Sequence, residues 1–208
     1  MVEAALRSLF PPAIGTAVLR IGAADGLWPG EAAAVAGAVP QRRAEFAAGR
    51  SAARLALAQL GLPPVALPMG ADRAPLWPGG ICGAISHAAG LALAVVARDR
   101  AVGVDLEPDA PIAPDLWDSL CAPGELQRLP LEGRGQAVTR VFVAKEAVFK
   151  AQRPEARAMF GFDAVEIALA GDSFDAHLLQ DAGAFRAGQR LRGGVLTVGG
   201  VVLAGVTA

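Results

Sequence analysis

The order of elements along this chain repeats, and that repetition limits what it can fold into. Segment 41 to 60, "QRRAEFAAGRSAARLALAQL", places Phe46, Ala53, Leu57 and Leu60 at helical spacing, and Gly61 followed by Pro63-Pro64 supplies the stop. A stretch rich in Pro and Gly, "PMGADRAPLWPGG" (68 to 80), reads as an extended loop. Three apolar runs follow with turn material between them: "ICGAISHA" (81 to 88), "LALAVVA" (91 to 97) and "AVGVDLE" (101 to 107). The second half replays the series, with a helix at about 136 to 152 ended by Arg153-Pro154, a mixed stretch, and Gly-punctuated runs through "GGVLTVGGVVLAGV". Residue identity between the halves is negligible, so element order alone predicts duplication of one α+β unit, divided as 1–104 and 105–208. Segment 108 to 125, with four prolines, is the connection or an inserted flap.

A chain of 208 residues with 53% hydrophobic side chains can bury a core of one or two domains. Charged residues make up 19% and the net charge is −1, a balance that points to neither a nucleic-acid footprint nor a polybasic membrane surface. Charge must act locally. Cys82 and Cys121 lie far apart with no Cys-x-x-Cys and no paired histidines, so they are expected to be reduced thiols of a cytoplasmic protein rather than zinc ligands. The start "MVEAALRSLFPPAIG" lacks a basic region and breaks at Pro11-Pro12, unlike a signal peptide. "LALAVVA" falls short of the ~18 residues a spanning helix needs.

The chemistry gathers in a few places. In "VGVDLEP", strand alternation points Asp105 and Glu107 to one face and Val104 and Leu106 to the other. Two hard oxygen ligands so close suit Mg²⁺, although the same pair also fits an acidic strand end running into Pro108. "FVAKEAVFK" holds the only two lysines of a chain with seventeen arginines. On a helix Glu146 and Lys150 are neighbours, which reads either as an ordinary ion pair or as a phosphate site, where a compact ammonium serves as a point charge. Lys145 is either phosphate-facing or snorkels over Phe142 and Phe149. On the first helix Arg43, Arg50 and Arg54 fall along one stripe with Arg42 at its edge. Ser86 and His87, before Ala-Ala-Gly, would sit at a strand end as an anion seat. His177 has no chemical company, and "GAADG" near residue 22 matches no phosphate or dinucleotide loop. No G-x-S-x-G elbow or Ser-His-Asp arrangement is present.

Taken in order from about residue 40 to 165, these pieces resemble the 4′-phosphopantetheinyl transferases of the surfactin and enterobactin synthase type. "RRAEFAAGRSAARLAL" resembles the family's first arginine-bearing helix and "DRAPLWP" its basic-to-proline loop. "ISHAAG" resembles its Ser-His motif, "VGVDLEP" its strand and "FVAKEAVFKA" its Lys-Glu helix. Val143-Ala144 stands where Ser or Trp-Ser is commoner, and Ala88 where a small polar residue is usual. The region before 40 and the last 40 or so residues match only by length and apolar pattern.

The resemblance implies a monomeric pseudo-dimer of two α+β subdomains with coenzyme A and Mg²⁺ in the cleft between them. It implies transfer of the phosphopantetheine arm to a serine of an apo acyl or peptidyl carrier protein, with release of 3′,5′-ADP. Asp105, Glu107 and Glu146 match the metal carboxylates, Glu146 also the base. Lys150 matches the pyrophosphate lysine. Ser86, His87, Arg42, Arg50 and Arg54 match the 3′-phosphate region, and Arg73 lies near the adenine-side basic residue. Secondary metabolism and siderophore carriers fit this type. Two rivals stand beside it: a Mg²⁺-dependent phosphohydrolase using water as acceptor, and a non-catalytic module that binds carriers.

Overall fold

The structure, a computed structural model, describes residues 1–23, 26–152 and 158–208. Five helices are α1 (Val2–Ser8), α2 (Pro40–Gln59), α3 (Trp117–Leu120), α4 (Pro123–Arg128) and α5 (Arg134–Lys150). Eight strands are β1 (Gly15–Arg20), β2 (Ile81–Ala88), β3 (Leu91–Arg98), β4 (Val102–Pro108), β5 (Val165–Ala170), β6 (Ser173–Leu178), β7 (Arg190–Val198) and β8 (Val201–Thr207). They form two antiparallel sheets, one of order β1-β3-β2 and one of order β4-β8-β7-β6-β5.

Both halves begin with a strand, cross over through a long helix, and close with a tight hairpin whose last strand returns beside the first. The hairpin turns, Ala89-Gly90 and Gly199-Gly200, have positive φ at both positions, the left-handed pair that a two-residue turn needs to match strand twist. One cross-strand trio recurs in register. Val96 of β3 lies between Gly15 of β1 and Gly83 of β2, and Val206 of β8 lies between Gly103 of β4 and Gly193 of β7. Gly15 and Gly103 do the same work, because a methyl on either would overlap a helix carbonyl, that of Ala56 on α2 or Ala147 on α5. Each helix therefore sits close on its sheet, and Gly103→Ala would push α5 off β4. The protein is an α+β pseudo-dimer.

Three clusters make the core. Ala52, Ala53, Ala56 and Leu57 of α2 pack on the first sheet, and Val141, Ala144, Ala147 and Val148 of α5 pack on the second. Between the sheets, Leu93 and Val95 meet Val104, Leu106 and Leu203, with Leu6 and Phe10 closing one end. Burying each such Val, Leu or Phe side chain contributes about 1.5–3 kcal/mol. Val104 and Leu106 take the inner face of β4, so alternation leaves Asp105 and Glu107 on the face toward α5, as expected from the sequence.

Several expectations need correction. The repeated unit is headed by a strand: β4 pairs along its length with β8 in the second sheet, and β1 heads the first half. The division at 104/105 therefore runs through the middle of β4. Residues 68–76 are not extended but fold back, with Met69 bridged to Pro75 and Leu76 N–H donating to the Pro68 carbonyl. The expected helix stop at Arg153-Pro154 lies outside the described residues, as does part of "GAADG". Cys82 and Cys121 are buried and form no disulfide. Among the described residues no helix is long and apolar enough to cross a membrane.

Candidate active site

The two halves meet at a buried junction of three side chains. Asp105 of β4 is 2% exposed, and its Oδ1 accepts hydrogen bonds from Ser86 Oγ of β2 at 2.7 Å and Lys150 Nζ of α5 at 2.5 Å. Lys150 also reaches Ser86 Oγ at 3.3 Å. The second carboxylate oxygen, Asp105 Oδ2, is buried with no hydrogen-bond partner among the described residues. A buried carboxylate oxygen without a donor is costly, and the feature marks a place where a cation or donor from outside the chain would be accepted.

Glu107 and Glu146 stand within electrostatic reach of that oxygen. Burial pushes the Glu107 carboxyl upward, the charges of Asp105 and Glu146 push it further, and Lys150 opposes them. Burial likewise raises Glu146, with Lys150 pulling down and Asp105 pushing up. Raised carboxyls beside a like charge are what a site short of positive charge displays. Among the described residues no three acidic, histidine or cysteine side chains are closed on a common point, so a metal would have to draw Glu107 and Glu146 inward. With an orphaned Oδ2, two half-buried carboxyls and all-oxygen donors, the residues fit a hard divalent cation.

A basic pocket of about 120 Å³ adjoins, with Arg42, Arg50, Arg73 and His87 among its walls and Glu45 on its rim. Arg50 is buried. Its Nε donates to the Leu67 carbonyl at 2.6 Å, Nη2 has no hydrogen-bond partner among the described residues, and burial lowers the guanidinium to about 10. Such a cation is pre-positioned for an anion. Arg42 Nη1 lies 2.5 Å from His87 Nε2 and 3.4 Å from Glu45 Oε2. Burial, then Arg42, lowers the His87 pKa. Arg73 sits at the tip of the folded-back loop with φ 67 and also lines a cleft of about 260 Å³ shared with Ile85, Phe149 and Lys150. Phe149 leads on to an apolar pocket of about 250 Å³ beside Glu146, walled by Phe160, Phe162 and Val165.

The structure thus brings Arg42, Arg50, Arg73 and His87 to one pocket, and Ser86, Asp105 and Lys150 to one junction next to Glu107 and Glu146. It does not bring Arg54 to the pocket. Arg54 Nη1 is bound to Glu31 Oε1 at 2.7 Å in the interior, with its guanidinium over Trp28, because a buried cation needs a carboxylate. The expected stripe of Arg43, Arg50 and Arg54 is therefore not the functional grouping. Ser86 turns to Asp105 rather than to the arginines. Lys145, left open between two roles, takes neither: its Nζ binds Glu125 Oε2 at 2.6 Å and the Phe162 carbonyl at 2.8 Å. Sequence reasoning missed Glu45, Glu31 and Glu125. Only Glu125 carried a signal, a Glu placed to cap a helix that opens with Pro123.

Two family models divide the chain as the sheets do. Residues 30–97 match the 4′-phosphopantetheinyl transferase N-terminal domain, and residues 101–193 match the 4′-phosphopantetheinyl transferase superfamily. The chain belongs to the 4′-phosphopantetheinyl transferase superfamily. It is 41% identical over 180 residues to the transferase Svp of Streptomyces mobaraensis, covering 80% of this chain and 71% of that protein. It is 39% identical over 143 residues to the transferase Npt of Nocardia iowensis, covering 67% of this chain and 64% of that one. Enterobactin synthase component D of Escherichia coli K12 is 38% identical over 140 residues, 65% of this chain and 67% of that protein. The matched parts thus span roughly two thirds of these relatives' length.

Proposed function

We propose that this chain moves the 4′-phosphopantetheine arm of coenzyme A onto a serine hydroxyl of an apo acyl or peptidyl carrier protein, with Mg²⁺, as a monomer. The single observation carrying this reading is Asp105: one oxygen held by Ser86 and Lys150 across the two halves, the other buried and open beside Glu107 and Glu146. Asp105, Glu107 and Glu146 would hold the ion, which when bound neutralises diphosphate oxygens.

The chain's own residues do the rest. Arg42, Arg50 and His87 bind the 3′-phosphate, and Arg73 borders the nucleotide on its way to the cleft. Lys150 places an ammonium on the diphosphate. The uncharged arm has the apolar pocket beside Glu146. Glu146, its carboxyl raised by burial, takes the proton from the serine hydroxyl. The serine oxygen forms a bond to the phosphorus of the arm, the phosphorus–oxygen bond to the nucleotide breaks, and 3′,5′-ADP leaves with the bonding pair. Positioning and electrostatics supply most of such a step.

Incubation with coenzyme A, Mg²⁺ and apo carriers, read by intact-protein mass, tests this. A gain equal to the phosphopantetheine arm is expected. Phosphate or nucleotide release without a modified carrier would instead establish the hydrolase, and carrier binding without turnover the non-catalytic module. A relative is by name part of an enterobactin synthase, so siderophore and secondary-metabolite carriers head the panel.

A further inference from the structure

Superposing the halves by their shared trio sets Gly15 against Gly103 and Ala56 against Ala147. Counting along the helices from those alanines, Arg54 of α2 falls on Lys145 of α5. The two cations have matching surroundings. Arg54 binds the buried Glu31, whose oxygens also accept the backbone N–H of Trp28 at 2.9 Å and of Leu67 at 2.8 Å. Lys145 binds the buried Glu125, whose oxygens also accept the backbone N–H of Ala122 at 2.7 Å and of Ile167 at 2.6 Å. In each half a glutamate bonds an N–H three residues before itself, a distant N–H, and the helix cation.

We infer that Lys145, although it neighbours Glu146 in the motif and borders the apolar pocket beside it, does not place its ammonium on substrate: with Glu125 it is a positioning clamp, the counterpart of Glu31–Arg54, that fixes the rotation of α5. Its side chain is 1% exposed, and its ammonium donates to Glu125 and to the Phe162 carbonyl. Glu125 joins α5 to the start of α4 and to β5, so the three-way tie fixes how α5 is turned about its axis. Glu146 is the next residue, and Lys150 lies further along the same helix. Any rotation of α5 would carry both away from Asp105. The first half needs the clamp only for its fold. At its positions equivalent to Asp105, Glu107, Glu146 and Lys150 stand Ala17, Leu19, Leu55 and Gln59, none of them ionisable, and the Gln59 amide is taken up by the backbone of Thr16.

The inference rests on the proposed transfer, and wild-type transfer to a carrier, measured alongside, reports on that reading separately. Lys145→Met and Lys145→Arg are compared for kcat, for KM of coenzyme A and for fold by circular dichroism. Lys145→Met is expected to lose at least about ten-fold in kcat with KM unchanged. Lys145→Arg, which copies the cation of the first half, is expected to stay within about three-fold of wild type. Should the methionine variant not fold, Glu125→Gln combined with Lys145→Met, which leaves no buried charge, is read in its place. A rise in KM for coenzyme A, full activity of the methionine form, or an arginine form as impaired as the methionine form would each overturn the clamp.

Discussion

Lys150 reaches from the end of α5 to place its ammonium 2.5 Å from Asp105 Oδ1, on a strand 45 residues earlier. The lysine side chain is 26% exposed and the aspartate 3%, so the pair has a dry end and a wet end. A cation held that way is available to a second anion arriving from the cleft.

Lys150→Ala should therefore lower kcat by roughly 10²-fold or more. Ser86 stays on Asp105, but a buried carboxylate loses its cation, so the melting temperature should fall as well, by less than in Arg54→Ala because Lys150 is partly exposed. Transfer assays and thermal melts on the same preparations check this; unchanged turnover in a folded variant would refute the role.

Mg²⁺ should stabilise the wild-type chain in the absence of nucleotide. Binding to the folded form alone adds about 2.7 kcal/mol at a hundred times the dissociation constant, and the melting temperature should rise with metal concentration. Asp105→Asn removes the charge next to Glu107 and Glu146 and should abolish that rise. Calorimetric titration with Mg²⁺ on both proteins reads the same difference directly.

Arg42 and Arg54 separate binding from folding. Arg42 is exposed on the pocket rim, so Arg42→Ala should leave the melting temperature nearly unchanged and raise KM for coenzyme A, with little effect on its 3′-dephospho analogue. Arg54→Ala strands the buried carboxylate of Glu31 and should cost about 3–5 kcal/mol of stability. Denaturant melts and steady-state kinetics with the two nucleotides distinguish the outcomes.

His87 gives a pH signature. Its folded pKa is held below the ordinary 6.5 by burial and then by Arg42, while Glu45 and Asp105 act the other way and Lys150 adds to the lowering. Between the two values the unfolded chain binds more protons than the folded one, so this contribution is present above 6.5 and is lost as the pH falls through the folded value. His87→Gln should flatten stability across that window. Glu45 is lowered too, chiefly by Gln41, and its window lies below 4.5. Denaturant unfolding at a series of pH values, wild type against variant, tests the slope.

Much of this was legible in the residues. The β2–β3 hairpin, β4 and the two long helices were read nearly to their ends, because alternation, helical period and glycine punctuation are local signals. The shared face of Asp105 and Glu107 came from the same alternation. What escaped was non-local or short. The seven residues of α1 and six of β1 carry too little period to register. The Gly–Val–Gly trio spans three strands, so no linear comparison of halves could see it. Arg54 looked like a ligand because helical spacing gives the face of a cation but not its partner, and Glu31 comes from a different part of the chain. Lys145 was undecided for the same reason.

The trio occurs twice but the carboxylates occur once, and this makes the cleft electrically lopsided. Two identical halves would accept an elongated, unsymmetrical nucleotide head-first or tail-first with equal ease. Here guanidinium groups gather on the side of the first sheet and acids on the side of the second, so under the proposed function such a molecule would have one direction of entry, and its reactive linkage would arrive beside Glu146 rather than beside Leu55.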